Sequence, residues 1–98
     1  MTDVLTEEEL KSHLIRYPEW HRESVGGVAC VRRIWTFDNF IDAFRFAGRV
    51  ADLAEKYNHH PQITVSWGEL AVAWWSHDAG GVTQADLEMV ALCDHLST

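Results

Sequence analysis

The chain has 98 residues, a formal charge of −7, 23% charged and 47% hydrophobic residues, which predicts one soluble globular domain with a modest core. The acidic balance and the lone Arg32-Arg33 doublet argue against a direct nucleic-acid partner, since neutralising phosphates takes a dense Lys/Arg patch. No apolar run reaches the roughly 20 residues of a bilayer span, and no basic segment followed by an apolar run marks a secretion signal, so a cytoplasmic location without a membrane partner is expected.

In chain order, Thr6-Glu7-Glu8-Glu9 reads as a helix start, with Thr6 as cap and Glu9 closing a capping box. The helix is expected to reach about Arg16, with Leu10 and Leu14 on one face, before Tyr17-Pro18-Glu19-Trp20 breaks it. Trp20 falls in an extended segment or short strand, and His13 and His21 read as surface residues. Ser24-Val25-Gly26-Gly27 is a turn, and residues 28–37 have strand composition. Asp38 is the expected cap of a long helix from Asn39 to about Tyr57. In that helix Phe40, Phe44, Ala47, Ala51 and Ala54 form an apolar stripe, widened by Ala43 and Val50, with Leu53 on its shoulder. Gly48 is expected to mark a close approach by another element.

After Pro61, Ile63, Val65 and Trp67 alternate with Gln62, Thr64 and Ser66, as in a half-buried strand. Gly68-Glu69 turns the chain into a second strand, residues 70–75, with no polar face. Thr83 caps a last helix to about His95, with Asp86 at the capping-box position and Leu87, Val90 and Ala91 inward. Cys30 and Cys93 sit in apolar patterns and are expected to be free buried thiols, as in a reducing compartment. The predicted fold is α+β: one antiparallel sheet with helices against it.

Chemistry concentrates at two corners. Glu55-Lys56-Tyr57-Asn58-His59-His60-Pro61 ends the long helix, because Pro61 forces His60 into extended geometry. His77-Asp78-Ala79-Gly80-Gly81 forms a loop after the second strand. Each histidine has an ordinary explanation: His59 and His60 as favourable charges at a helix C-terminus, His77 as a strand-end residue bonded to its loop. Together they also make a proton-transfer set, since imidazole exchanges protons near neutral pH. Neighbouring side chains at a bend can point different ways, so one can meet a ligand while the other orients it. Glu55 lies one turn before His59 and is placed to interact with it. Asp86 either only caps its helix or also holds a histidine in its useful tautomer. A zinc shell from the histidines plus Glu55 or Asp86 is a weaker alternative, because helix-paired ligands and Cys-x-x-Cys are missing. Ser76 beside His77 is no nucleophilic pair, since consecutive strand residues face opposite ways, and Gly80-Gly81 lacks the phosphate-loop pattern.

The runs Val50-Ala51-Asp52-Leu53-Ala54-Glu55-Lys56-Tyr57-Asn58-His59-His60-Pro61 and Ser76-His77-Asp78-Ala79-Gly80-Gly81-Val82-Thr83, with Asp86 following, resemble the pterin-4a-carbinolamine dehydratases. Ile34-Trp35-Thr36-Phe37-Asp38-Asn39-Phe40 resembles the family's strand end and helix start. The resemblance implies a single four-stranded antiparallel sheet with helices packed on one face. It implies dehydration of 4a-hydroxytetrahydropterin to quinonoid dihydropterin and water, recycling the cofactor of aromatic amino acid hydroxylases. His59, His60 and His77 map to the catalytic histidines, with His60 and His77 as acid/base candidates and His59 binding or orienting substrate. Glu55, Pro61, Asp86, Ser76 and Asp78 are the supporting or substrate-binding positions. No metal or other cofactor is implied, because the reaction changes no net oxidation state. Trp67 or Trp20 is a candidate for stacking on the flat pterin, beside the commoner role of a core aromatic. Homodimers or homotetramers are expected. The resemblance also admits a non-catalytic relative, a dimerisation cofactor of a transcription factor or an assembly protein of the same fold; retention of all three histidines favours the enzyme.

Overall fold

A computed structural model describes residues 3–97. In chain order the elements are α1 (Glu7–Leu14), β1 (His21–Val25), β2 (Val28–Thr36), α2 (Phe40–Tyr57), β3 (Gln62–Ser66), β4 (Glu69–Trp74) and α3 (Gln84–Leu96). The strands form one antiparallel sheet in the order β1-β2-β4-β3, the α+β architecture expected. Gly26 and Gly27, with φ of +57° and +82°, supply the two left-handed positions of a type I′ hairpin. That turn pairs Val25 with Val28 and sets the β1–β2 register.

Register decides what meets the helices. Val31 lies opposite Trp74, Arg33 opposite Val72 and Trp35 opposite Leu70. Ile63 and Val65 continue the same face beside Val72 and Leu70. Phe46, Val50 and Ala54 of α2 and Leu87, Val90 and Cys93 of α3 close over it as the core. Arg33 is tolerated on this face because Asp94 of α3 accepts from its guanidinium at 2.6 Å while that group lies 4.5 Å above the Trp35 ring. Trp20 Nε1 donates to the same Asp94 at 2.7 Å, and Trp35 Nε1 donates to Ser97 at 2.8 Å. These bonds fix α3 along the sheet. Cys30 and Cys93 are both buried and free. They lie on opposite faces, since Cys30 alternates with the helix-facing Val31.

Several local expectations are corrected. The buried face of α2 is Ala43, Phe46, Ala47, Val50 and Ala54, whereas Phe40, Phe44 and Ala51 face outward. Apolar residues cover so much of this helix that two stripes satisfy its period. The sheet selects the one that puts Phe46 (8% exposed) rather than Phe44 (57%) inside, 5.2 Å from Trp35 and 5.9 Å from Phe37. Ala91 of α3 is half-buried, with Met89 and Cys93 fully inside. The cap of α2 is Asn39, not Asp38: Asn39 is extended, and its side chain accepts from Asp42 N–H at 2.8 Å. A Cβ at Gly48 would meet nothing within 4 Å, so no element approaches there. The first helix stops at Leu14 and not near Arg16; of the two settings offered for Trp20, the strand is the one not adopted, since β1 starts at His21. Trp67 lies beyond the end of β3 and is 73% exposed in the β3–β4 turn, where Gly68 takes a φ of +69°.

Candidate functional site

The end of α2 builds the first corner. Asn58 takes a left-handed conformation (φ 50°, ψ 44°). Its N–H bonds the Glu55 carbonyl at 3.4 Å, and the next N–H, of His59, bonds the Ala54 carbonyl at 3.0 Å. This is a Schellman closure, and Pro61 follows where the helix can no longer continue. The reversal separates the two imidazoles. His59 turns inward, stacks on the buried Trp74 indole (5.5 Å between centroids, 11° between planes) and places Nε2 2.5 Å from Asp86 Oδ1. His60 stays exposed, with Nε2 2.5 Å from Glu55 Oε2. Glu55 therefore partners His60 and not His59, because the left-handed Asn58 takes His59 off the helix face on which a one-turn spacing would act.

The second corner is the loop between β4 and α3. Ser76 N–H donates to the Gly81 carbonyl at 2.8 Å and Gly80 N–H to the Ser76 carbonyl at 2.9 Å. Gly80 has a φ of +76°. The loop projects His77 and Asp78 into solvent-exposed positions, with the His77 ring 4.8 Å from Trp75. Beneath it, Asp86 is fully buried and surrounded by donors. Its Oδ2 accepts from Ser76 Oγ at 2.8 Å and from Thr83 N–H at 2.8 Å. The Thr83 hydroxyl lies 2.8 Å from Ser76 Oγ. Of the two arms of the α3 capping box, the well-formed one is Thr83 N–H to Asp86, while Asp86 N–H bonds the Thr83 carbonyl at 3.0 Å. Asp86 thus caps its helix and also bonds His59, so the reading in which it only caps is set aside.

One cavity of about 850 Å³ is lined by His59, His60 and His77 together with Ser76, Asp78 and Thr83. Glu55 and Asp86 stand behind the imidazoles they bond, and half-buried Pro61 leads the chain from the corner into β3. Trp67 and Trp20 do not line this cavity. Trp20 is a core residue bonded to Asp94, so neither tryptophan is placed to stack there. Among the described residues no group of three or more His, Cys, Asp or Glu side chains is arranged to hold a metal ion. Sequence reasoning missed four contributors. Trp74 supports His59 from below. The Thr83 hydroxyl joins the Asp86 network in addition to its capping role. Asp3 and Val4 also wall the cavity, pinned by Leu5 N–H to the Val82 carbonyl at 2.8 Å. Gly81 admits them: a Cβ there would lie 2.8 Å from Val4 Cγ1. A glycine in a Gly-Gly pair is the only sequence signal for that contact.

Comparison with known proteins gives consistent results. A protein-family model described as "Pterin 4 alpha carbinolamine dehydratase" matches residues 3–96. A protein of Marinobacter nauticus named "Putative pterin-4-alpha-carbinolamine dehydratase" is 40% identical over 92 residues, covering 94% of this chain and 83% of its own. One of the same name from Chlorobium luteolum is 41% identical over 92 residues, covering 94% and 81%. The crystal structure of a "transcriptional coactivator/pterin dehydratase" from Brucella melitensis superposes with a TM-score of 0.84 at 29% identity, covering 98% of this chain and 100% of that one. A pterin dehydratase-like RuBisCO assembly factor of the alpha-carboxysome shares the fold, with a TM-score of 0.63 at 19% identity over 80% of this chain and 88% of its own. Matched along nearly its whole length, and with both histidine corners folded into one cavity, the chain belongs to the pterin-4-alpha-carbinolamine dehydratase family.

Proposed function

We propose that the chain dehydrates 4a-hydroxytetrahydropterin to quinonoid dihydropterin and water by histidine acid/base chemistry. The observation that carries this reading is that three imidazoles line one cavity, each against a different support. In the reaction the C4a–O bond breaks, the hydroxyl leaves as water with a proton supplied by one side chain, and a second side chain takes the proton lost from the ring nitrogen. Electrons balance within the pterin, so no redox partner or metal is needed. His60 and His77 are the exposed members and exchange those protons, His60 against the Glu55 carboxylate. His59, fixed between Trp74 and Asp86, binds and orients the substrate. Asp78 offers the cavity a carboxylate acceptor for pterin N–H groups. In this role the chain recycles the pterin of an aromatic amino acid hydroxylase.

The test is the rate of carbinolamine loss with freshly generated 4a-hydroxypterin for the parent, His60→Ala and His77→Ala. The expected result is a fast parent and two slow variants. Equal rates for all three proteins and the uncatalysed control would reject the reading. A homodimer or homotetramer is part of it, supported by the apolar Phe40, Ile41 and Phe44 left exposed on α2; light scattering on the purified protein tests that.

A further inference from the structure

Besides the histidines, the cavity has a wall made by the segment before α1, where Asp3 and Val4 line it. Two contacts seat this segment. Leu5 N–H donates to the Val82 carbonyl at 2.8 Å, and Val4 lies against Gly81, where a Cβ would fall 2.8 Å from Val4 Cγ1. Gly81 does not have a positive φ, so no left-handed backbone calls for glycine there; the close approach of Val4 does. The polar groups of the lining are unevenly engaged. Asp86 and Glu55 are taken up by His59 and His60, and Asp78 follows His77 in its loop. The start of α3 adds the Thr83 hydroxyl, already 2.8 Å from Ser76 Oγ, and an alanine methyl. Among the described residues, Asp3 is the carboxylate of the lining that sits on a segment with no imidazole.

We propose that Asp3 is a substrate-binding residue that accepts hydrogen bonds from the 2-amino edge of the pterin, and that Gly81 is the positioning residue that seats it. The identity of the ligand rests on the dehydratase reading; the seating of the segment does not. In the pyrimidine ring of a pterin, C2 lies directly opposite C4a. When the histidines hold C4a and its hydroxyl, the 2-amino group and the adjacent N3–H point away from them. Those neighbouring donors match the two oxygens of an ionised carboxylate, which only accepts. Asp78, beside His77, serves the N–H groups nearer the reacting carbon. The ordinary alternative for Asp3 is a solvated surface carboxylate. A surface residue needs no seat, whereas here the next residue, Val4, fills space that a Cβ at position 81 would take away.

The experiment measures Kd for 7,8-dihydropterin and for 7,8-dihydrolumazine, in which a carbonyl replaces the 2-amino group, and separately kcat and KM for carbinolamine loss. The intact protein is expected to prefer the dihydropterin about tenfold, and Asp3→Ala to lose that preference by weakening the dihydropterin alone. In turnover the loss should fall on KM, with kcat within about twofold, as for binding shared by ground and transition states. Gly81→Ala should raise the dihydropterin Kd roughly fivefold by displacing the segment. Val4→Ala removes the clashing methyl and leaves its own Cβ an ordinary 3.8 Å away, so Val4→Ala/Gly81→Ala should bind within about twofold of Val4→Ala. If Gly81→Ala alone fails to fold, the paired variant should fold, and its failure to do so overturns the seating. An undiminished preference in Asp3→Ala overturns the binding role. A paired variant as weak as Gly81→Ala, or a Gly81→Ala protein equal to the parent, overturns the positioning role. Carbinolamine loss by an intact protein that does not distinguish the two ligands removes the proposal and leaves the dehydratase reading standing; the preference without turnover does the reverse.

Discussion

Asp86→Asn isolates what the buried carboxylate does. The side chain keeps its shape, but one acceptor becomes a donor. Thr83 N–H is fixed by the start of α3 and still points at the position of Oδ2, 2.8 Å away. The amide oxygen must therefore stay there, and the new NH₂ group faces His59 Nε2 at the former Oδ1 position. Two donors cannot share that contact, so His59 must move its proton to Nδ1 and accept through Nε2. The nitrogen offered to substrate changes from acceptor to donor without any large movement. Exchanging charge-assisted for neutral hydrogen bonds costs on the order of 1 to 2 kcal/mol of stability. A positioned acid/base group contributes about 10²–10⁴ in rate; for an orienting residue the lower end applies, so kcat is expected to fall about 100-fold, near 2.7 kcal/mol of barrier. The assays are carbinolamine loss at saturating substrate, urea unfolding and ¹⁵N spectra of the imidazole. A variant within twofold of the parent in kcat, with His59 still protonated on Nε2, would refute the reasoning.

Three further outcomes follow from the packing. Phe46→Ala should destabilise by about 3 to 5 kcal/mol as a large core deletion, while Phe44→Ala should cost less than about 1 kcal/mol where the chain is monomeric; comparable urea midpoints for the two would restore the stripe read from the sequence. Gly68→Ala should cost roughly 1 to 3 kcal/mol, because a side chain is strained at a φ of +69° and its Cβ would lie 3.0 Å from the Phe37 carbonyl oxygen; a thermal midpoint equal to the parent's would contradict this. Burial pushes the Cys93 thiol up to about 11 from an ordinary 9.0, so the folded chain holds that proton more tightly than the unfolded chain. The associated stability is complete below about pH 9 and is lost as pH rises to about 11, up to roughly 3 kcal/mol at about 1.4 kcal/mol per unit. Urea midpoints at pH 8 and pH 11 should fall further in the parent than in Cys93→Ala, and equal falls would show that the thiol is not responsible.

Much of this was legible in the sequence because the informative residues are punctuation. Gly26-Gly27, Pro61 and the Thr83/Asp86 box fix where elements turn and start, and backbone sterics act locally. The two histidine corners were visible for the same reason, being tied to element ends. Legibility failed where a choice depends on what lies across the interface. On α2, Phe40/Phe44 and Phe46 fit the helical period about equally, and only the aromatic pair Trp35 and Phe37 on the sheet side decides between them. The partner of Glu55 could not be read from spacing, because a single left-handed residue at Asn58 overrides one-turn geometry. The Val4–Gly81 contact joins residues 77 positions apart, and no local pattern encodes it.

The arrangement of the three imidazoles supports a division of labour among them. His59 has a side chain 22% exposed and bonds a carboxylate that is fully buried. It is also stacked on an indole, so its ring is fixed in both plane and rotation. A group held this way is preorganised to locate a substrate, because little conformational entropy remains to be lost on binding. His60 is 55% exposed against a glutamate that is itself 77% exposed. That pair gains little from its electrostatic contact in high dielectric, and His77 sits on an exposed loop beside Trp75. Residues of this kind can refill from water the proton they give up, which the proposed turnover cycle requires. The asymmetry traces back to α3. A helix start must satisfy its own N–H groups, so placing a carboxylate there is favourable before any ligand is considered. Sharing that carboxylate with His59 ties this member of the site to the stability of the helix, while His60 and His77, the members proposed to exchange protons, lie on exposed corners.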